Sequence, residues 1–593
     1  MLSRIAYIAC LALMFYTSFF FYPRCKQNGP EATIGWDVSG YYWYLPSLFI
    51  YKDLAHQSFK DSVLNKYRPT GTNFQQAMPL ENGNYSMKYS SGMAVMYLPF
   101  FTAAHLVAGA SGYPRDGFSP PYQLAIQLGG FLVSLLGLWY LRKLLLIFYQ
   151  DKVVAITLLL LVFGSNYLNY SSVDCGMSHC WLFTVYVFLL LNTHYFYQRF
   201  ETRYAVRIGL LVGLATLTRP TDALSCLIPL LWGLESISPT AIKNRLSLFA
   251  SHLRPLLLAG ICAMLVISVQ LIYWKHVSGH WLVYSYSDQK LYFRSPNFMN
   301  YTFSYKSGWL VYSPMMMLAF VGLVPFVLNG KNKVAITSFF LLNYYIVCAW
   351  SIWWYGGRAM VQSYPVLMFP LASLISAALD RRVILWLLSP FVLLFLYFNV
   401  WITWHYHRGT LYDCDNMTKQ YFWRVAGRWS APENTLVLRD HTDLYEGAPK
   451  NLQLLYQHDF ANDTGVLYEL HATGTGKSLH LTGEHDNSDT YKTPYTGKGF
   501  RWIRVQATFH CERKEWNADK MTQFIVRAVN KGNVTKENMI RVYRLLGENE
   551  TKSISLDMKL PKKGLDEIDI LFWNGASDIP IWIDDLKVWG FNE

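Results

Sequence analysis

Long apolar runs joined by short basic connections fill about the first 400 positions, and strict alternation of apolar and polar residues takes over after residue 430. The apolar runs lie at 5–22, 122–140, 153–167, 181–197, 208–217, 224–234, 256–273, 315–328, 334–350, 365–379 and 383–401. They predict about eleven spans for a hydrocarbon core roughly 30 Å thick. The pair at 208–217 and 224–234 is short and interrupted by Arg219-Pro220. A polar stretch from 23 to 120 is expected to form a large external loop. Within it, 91–108 is apolar but carries Pro99 and His105, and it is read as a helix lying against or dipping into the membrane.

The basic connections test that count. With the N-terminus in the cytoplasm, five groups fall on one side: Arg142/Lys143/Lys152, Arg199/Arg203/Arg207, Lys243/Arg245/Arg254, Lys331/Lys333 and Arg381/Arg382. Counting 91–108 as a full span would break this agreement for most of the chain. The opposite face then holds the loop after the first span, 173–180, 219–222, 274–314, 351–364 and everything beyond Trp404.

In the last part, Ile503, Val505, Ala507 and Phe509 alternate with Arg504, Gln506 and Thr508. Ile554, Leu556, Met558 and Leu560 alternate likewise, and so do Ile568, Ile570 and Phe572, then Ile581 and Ile583. Period two broken by Gly, Asn, Asp and Lys turns predicts antiparallel strands. The expected architecture is therefore an all-α membrane module, 1–429, followed by an extracytoplasmic all-β, jelly-roll-like sandwich, 430–593. At the other end, Met1-Leu2-Ser3-Arg4 and the apolar run resemble a signal peptide. Phe19 to Pro23 follows with no small-residue cleavage site, so the run reads as a retained signal anchor.

Composition supports this picture. Hydrophobic residues make up 52% of the 593 positions and charged residues 15%, too sparse a charge for a soluble protein of this length. The net charge of +13 follows from loop basicity and does not require nucleic acid. The nine cysteines form neither a disulfide framework nor a zinc array, with Cys175/Cys180 and Cys414/Cys511 left open as pairs. No Walker sequence, Gly-rich dinucleotide loop or G-x-S-x-G is present, which argues against a cytosolic nucleotide.

Candidate chemistry gathers on the external face. Asp37 sits in Trp36-Asp37-Val38-Ser39-Gly40-Tyr41-Tyr42-Trp43-Tyr44, one carboxylate among five rings. Rings at that depth serve as interfacial anchors, whereas a carboxylate facing a cleft is a natural general base. Asp37, Lys88, Asp116, Asp174, His179, Arg219, Asp222, Asp288, Lys290, Arg294, Lys306 and Arg358 all fall on this side. Arg219 and Arg358 have forks that suit phosphate oxygens, and with Lys88 they would hold a lipid phosphate or diphosphate. Snorkelling to the headgroups is the alternative. Tyr41 joins the substrate-binding candidates. His179 orients a substrate or caps a helix, and Asp174 is a second carboxylate or a plain loop residue. The segment 284–294 mixes rings with polar groups, as sugar sites and interfacial loops both do.

Four stretches carry a family resemblance: Trp36-Asp37, Lys88-Tyr-Ser-Ser-Gly92, Leu217-Thr-Arg-Pro220 and Trp353-Trp-Tyr-Gly-Gly-Arg358. In this order and on one face, they resemble the GT-C superfamily of polytopic glycosyltransferases. The nearest branch is that of protein O-mannosyltransferases and the lipid A aminoarabinose transferase, in Bacteroidetes-type forms. The resemblance covers about residues 1–420. It implies a bacterial inner-membrane enzyme with the β-domain in the periplasm. It also implies a donor sugar on a polyprenyl phosphate, a protein, lipid A or polysaccharide acceptor, and inverting transfer with Asp37 as base or acceptor-positioning group. The oxocarbenium-like transition state is taken by analogy with glycoside hydrolysis. Arg219, Arg358 and Lys88 would then stabilise the departing phosphate. The family's second acid beside the first is missing here, where the neighbours are Trp36 and Val38. Its His-Pro-Pro loop is replaced by Lys-Tyr-Ser-Ser. Asp37 alone cannot hold an ion, so a divalent metal is left open without support and no cofactor is established from the sequence. The strand Ile581-Trp582-Ile583-Asp584-Asp585-Leu586-Lys587-Val588 resembles the closing strand of carbohydrate-binding jelly rolls, which leaves the β-domain as a glycan binder or a structural cap. The alternative function, a flippase of lipid-linked sugars, predicts inverted repeats and midplane charges, and neither is seen. A membrane-anchored glycan-binding protein would not need eleven spans.

Overall fold

The computed structural model describes residues 1–593 apart from 71–73, 288, 352–354, 409–410, 413–415, 433–434, 471–475, 496–498, 516–519, 563 and 576. Asp288, Trp353, Trp354 and Cys414 thus lie outside the described residues. The chain divides into two compact units, Met1–Arg408 and Gly409–Glu593. The change of sequence texture falls later, near 430.

The first unit is helical. Seven of its helices, among the described residues, are long and apolar enough to cross a membrane, and Pro220–Leu231, Met315–Asn329 and Lys333–Ala349 are shorter apolar ones. The helix expected at 91–108 is present, and the run 224–234 differs from the sequence reading. Gly92–Ala110 is a continuous 19-residue helix with Pro99 inside it, and by length and composition it qualifies as a span. A proline in an apolar helix is tolerated where a neighbouring helix covers the freed carbonyl. The next helix, Pro120–Leu145, packs closely here, because a Cβ on Gly129 would sit 2.8 Å from the Phe100 ring. The run 224–234 is not one helix. A 3-10 turn, Pro220–Cys226, precedes a single helical turn, Leu227–Leu231, since Pro220 and Pro229 each remove a backbone donor.

Small residues set the helix spacing. On Thr202–Thr218, Gly209 and Gly213 face the helix Leu253–Ser278. A Cβ on Gly209 would lie 2.8 Å from Ala259 Cα, and one on Gly213 3.0 Å from Ala263 Cα. Glycine and alanine four apart let two backbones approach, which replaces the hydrophobic drive missing between helices in lipid. The Gln127 amide joins two π-helical turns, Thr17–Phe21 and Asn169–Val173. It donates to Ser18 Oγ at 2.9 Å and to Ser172 O at 3.0 Å, and it accepts from Thr33 Oγ1 at 3.2 Å. The loop carrying Asp37 is thereby anchored to the bundle. A hairpin, β1 (Ala77–Pro79) and β2 (Tyr85–Met87), delivers the chain into Gly92–Ala110. Cys175 and Cys180 are free and buried, and Cys511 is free.

Among the described residues the second unit holds ten strands: β3 (Lys450–His458), β4 (Tyr468–Leu470), β5 (Lys477–Leu481), β6 (Tyr491–Pro494), β7 (Trp502–Cys511), β8 (Gln523–Asn530), β9 (Asn533–Arg541), β10 (Glu550–Lys559), β11 (Glu567–Trp573) and β12 (Ile581–Asn592). One sheet runs β10-β7-β12-β5-β4 with β3 also on β12, and the other runs β6-β11-β8-β9. Every pairing is antiparallel. The alternating residues Ile503, Val505, Ala507 and Phe509 all point inward and are fully buried. Phe509 of one sheet meets Phe524 and Phe572 of the other at 5.6 and 5.8 Å between ring centroids. Helices followed by a two-sheet β-domain are thus the observed fold.

The glycine contact yields a test. Gly213→Leu should destabilise the full chain in detergent by about 1–3 kcal/mol through overpacking. Gly260→Leu should be near neutral, since a Cβ there meets nothing within 4 Å. Thermal unfolding of both variants checks this, and equal melting temperatures would contradict it.

Candidate functional site

Three of the four sequence stretches meet around one carboxylate. Trp36 opens the short helix Trp36–Tyr42 with a φ of 45°, left-handed backbone that is unusual for a bulky residue and costs on the order of 1–3 kcal/mol. Its N–H donates to Pro69 O at 2.8 Å, which holds the turn. The next residue, Asp37, receives Arg358 Nη2 on Oδ2 at 2.6 Å and the Tyr89 hydroxyl on Oδ1 at 2.7 Å. Its side chain is 19% exposed and that of Arg358 25%. Each oxygen keeps a further lone pair for a ligand.

Arg358 is placed by the glycines before it. Gly356 and Gly357 have φ of 59° and 60°, a double left-handed turn that residues with a Cβ resist. The turn is also tight. Asn166 Nδ2 donates to Gly356 O at 2.8 Å, the Tyr301 hydroxyl donates to Gly357 O at 2.8 Å, and a Cβ on Gly357 would lie 2.6 Å from Trp309 Cβ. Tyr89 is placed by the hairpin and by Gly92, where a Cβ would come within 2.6 Å of Thr218 Cα. That contact seats the Lys88–Gly92 stretch directly on the residue before Arg219.

The Tyr41 ring meets that of Tyr89 at 4.5 Å between centroids, tilted by 51°, and the Tyr41 hydroxyl receives a 3.5 Å hydrogen bond from Ser178 Oγ. Burial, and then the charge of Asp37, push the Tyr89 phenol well above its usual range, so it remains a donor. Tyr41 is raised by the same two causes, with Arg358 and Arg219 opposing. Lys88 Nζ lies 5.6 Å from the Tyr89 ring centroid. Arg219 Nη1 donates to Gln362 Oε1 at 2.8 Å, on the same 3-10 segment, Tyr355–Ser363, that carries Arg358. His179 is 2% exposed and edge-on to Tyr170 at 5.2 Å. The Gln362 side chain lies within interacting reach of its ring, but among the described residues neither ring nitrogen makes a hydrogen bond of good geometry.

Asp174 is held by other partners. Arg24 Nε lies 2.6 Å from Oδ1, and Asn169 Nδ2 donates to Oδ2 at 2.9 Å. His407 Nε2 lies 2.5 Å from the Asn169 amide oxygen. Burial raises the Asp174 carboxyl, but Arg24, His407 and Asn169 outweigh it and hold the group below its usual range. Asp116 is spent on the loop fold: it takes Lys66 Nζ at 2.9 Å, the Tyr67 hydroxyl, and the Phe118 and Ser119 amides at 3.0 and 3.1 Å. Among the described residues no group of three His, Cys, Asp or Glu side chains is placed to hold a metal.

The sequence reading passed over Tyr89 as a ligand of Asp37, and over Gln362 and Tyr186 entirely. The one available signal was polar groups inside apolar surroundings: Gln362 lies four positions after Arg358, and Tyr186 lies within the run 181–197.

No protein-family model matches the chain, and no curated protein matches it. Among solved structures it is similar to the apo oligosaccharyltransferase of Archaeoglobus fulgidus, with a TM-score of 0.39 and 11% identity over 75% of this chain and 60% of that one. It is also similar to a family 16 carbohydrate-binding module, with a TM-score of 0.15 and 18% identity over 19% of this chain and 77% of that one.

The central ion pair gives a double-mutant cycle. Asp37→Asn and Arg358→Gln should each lower the unfolding temperature, and the double variant should lose less than the sum, with a coupling of about 1–3 kcal/mol. Strict additivity would show that the two side chains do not pair in solution.

Proposed function

We propose that the protein is a membrane glycosyltransferase that moves a sugar from a polyprenyl-phosphate donor to an acceptor hydroxyl, with inversion, on the periplasmic face of a bacterial inner membrane. The observation that carries this reading is the Asp37 carboxylate, fixed between Arg358 and Tyr89 beside the Arg219 fork. General-base help and anion stabilisation are the two things such a transfer needs from a protein. Asp37 takes the acceptor proton as the hydroxyl attacks the anomeric carbon. The bond from that carbon to the phosphate oxygen breaks, and its electron pair leaves on the lipid phosphate. Arg219, with Lys88 and Arg358 nearby, takes up the growing negative charge. Tyr41 and His179 are placed to hydrogen-bond the sugar, and Asp174 serves by fixing the loop after Asn169–Val173. The acceptor is a protein, lipid A or polysaccharide hydroxyl, with the β-domain as glycan binder or cap.

The test is donor consumption in lipid nanodiscs, using radiolabelled polyprenyl-phosphate sugars with envelope extract as acceptor source. Wild type should consume donor, and Asp37→Asn should fold yet lose about 10²-fold or more. Full activity in the variant would remove Asp37 from the base role. Movement of intact lipid-linked sugar between leaflets, with no donor consumed by either protein, would instead identify a flippase.

A further inference from the structure

Arg358 and Arg24 each meet a carboxylate directly, at 2.6 Å in both cases. Among the described residues Arg219 does not, although Asp222 is three residues away. An amide stands between them. Gln362 Oε1 accepts from Arg219 Nη1 at 2.8 Å, and Gln362 Nε2 donates to Asp222 Oδ1 and Oδ2 at 2.8 and 2.9 Å. The Tyr186 hydroxyl completes the set, donating to Asp222 Oδ1 at 2.8 Å. Asp222 and Gln362 are 1% and 2% exposed, whereas Arg219 is half-buried.

The arrangement has one hydrogen-bonding solution. A guanidinium only donates and an ionised carboxylate only accepts, so the amide must turn its oxygen to Arg219 and its nitrogen to Asp222. Asp222 locks the amide, and the amide locks the fork through a single N–H. Among the described residues this is the only hydrogen bond of the Arg219 side chain, so the rest of its planar donor edge stays open to a ligand. A direct Arg219–Asp222 pair would hold the fork equally firmly while neutralising it at contact distance. The interposed amide supplies the aim without that contact.

We propose that Gln362 is a positioning residue that aims the Arg219 guanidinium at a phosphate headgroup while keeping Asp222 off it. This deepens the proposed function and rests on reading the site as a lipid-phosphate site. Gln362 and Arg358 share one 3-10 segment, so the element that braces the base also sets the anion ligand.

The full chain in nanodiscs is titrated with a short-chain polyprenyl phosphate, with inorganic phosphate and with the uncharged polyprenyl alcohol, following intrinsic tryptophan fluorescence. Gln362→Met keeps the side-chain length but removes both hydrogen bonds. It should weaken polyprenyl phosphate binding about tenfold and leave alcohol binding unchanged. Where Gln362→Met fails to fold, Gln362→Glu combined with Asp222→Asn restores a full hydrogen-bond set but pairs the fork with a carboxylate, and it should show the same selective loss. Tyr186→Phe, which removes the other donor to Asp222 Oδ1 while leaving both Gln362 contacts in place, should lower the melting temperature without changing the ratio of phosphate to alcohol affinity. Equal phosphate affinity in wild type and either Gln362 variant, or a loss that extends equally to the alcohol, overturns the positioning role. Saturable binding of inorganic phosphate by wild type, with no tighter binding of the polyprenyl phosphate, overturns the lipid headgroup as ligand. No binding of either anion by wild type defeats the lipid-phosphate reading itself, and the positioning role with it.

Discussion

The pairing of Asp37 with Arg358, 321 positions apart in sequence, is the constraint on which the site depends. A charge beside apolar helices is costly unless it meets an opposite charge with good geometry, and removing one partner strands the other. The chain adopts left-handed backbone at both ends of the bond, with strain at the non-glycine Trp36. Trp36 adopts a left-handed φ immediately before the carboxylate, and two left-handed glycines immediately precede the guanidinium. Together they bring two loop residues to 2.6 Å, with Tyr89 closing the third side.

Around that bond, ionisable groups are managed in three ways. Asp174 is neutralised directly by Arg24 and braced by Asn169, which itself meets His407, so its charge is used in holding the turn at Arg24 to the π turn Asn169–Val173. Arg219 is held at one remove, through an amide, and keeps its donor edge. His179 is buried with no hydrogen bond of good geometry among the described residues, which is expensive for an imidazole unless a ligand supplies the bond. The first arrangement ties segments together through a direct ion pair, while the other two involve no direct ion pair among the described residues. This difference separates Asp174 from the groups around Asp37.

The surrounding scaffold is made precise by small residues. Gly209 and Gly213 bring two long helices together against Ala259 and Ala263, and Gly92 seats the hairpin exit on Thr218. Such contacts are rigid because no side chain intervenes to give way, so the positions of Tyr89 and Arg219 are set by backbone meeting backbone. Helices held this closely are a suitable base for loops that carry strained turns.

Much of the fold was legible in the chain because its periodicities are strong. Apolar runs, alternation after residue 430 and two Arg-bearing breaks in apolar segments are local signals, and burial of apolar surface obliges the backbone to follow them. The helix expected at 91–108 forms with Pro99 inside it, because a neighbouring helix covers that face, which is a contact no local signal supplies. Asp37, Arg219 and Arg358 stood out as charges in the wrong surroundings, a cost that sequence reveals. Which charge meets which partner is a different question. Asp174 and Asp37 are the same residue type in similar loops, and only the folded chain gives one to Arg24 and the other to Arg358. Gln362 carries no charge to betray it. Its importance comes from standing between Arg219 and Asp222, a position fixed by helix packing and by the direction of two hydrogen bonds, and no spacing along the sequence encodes either.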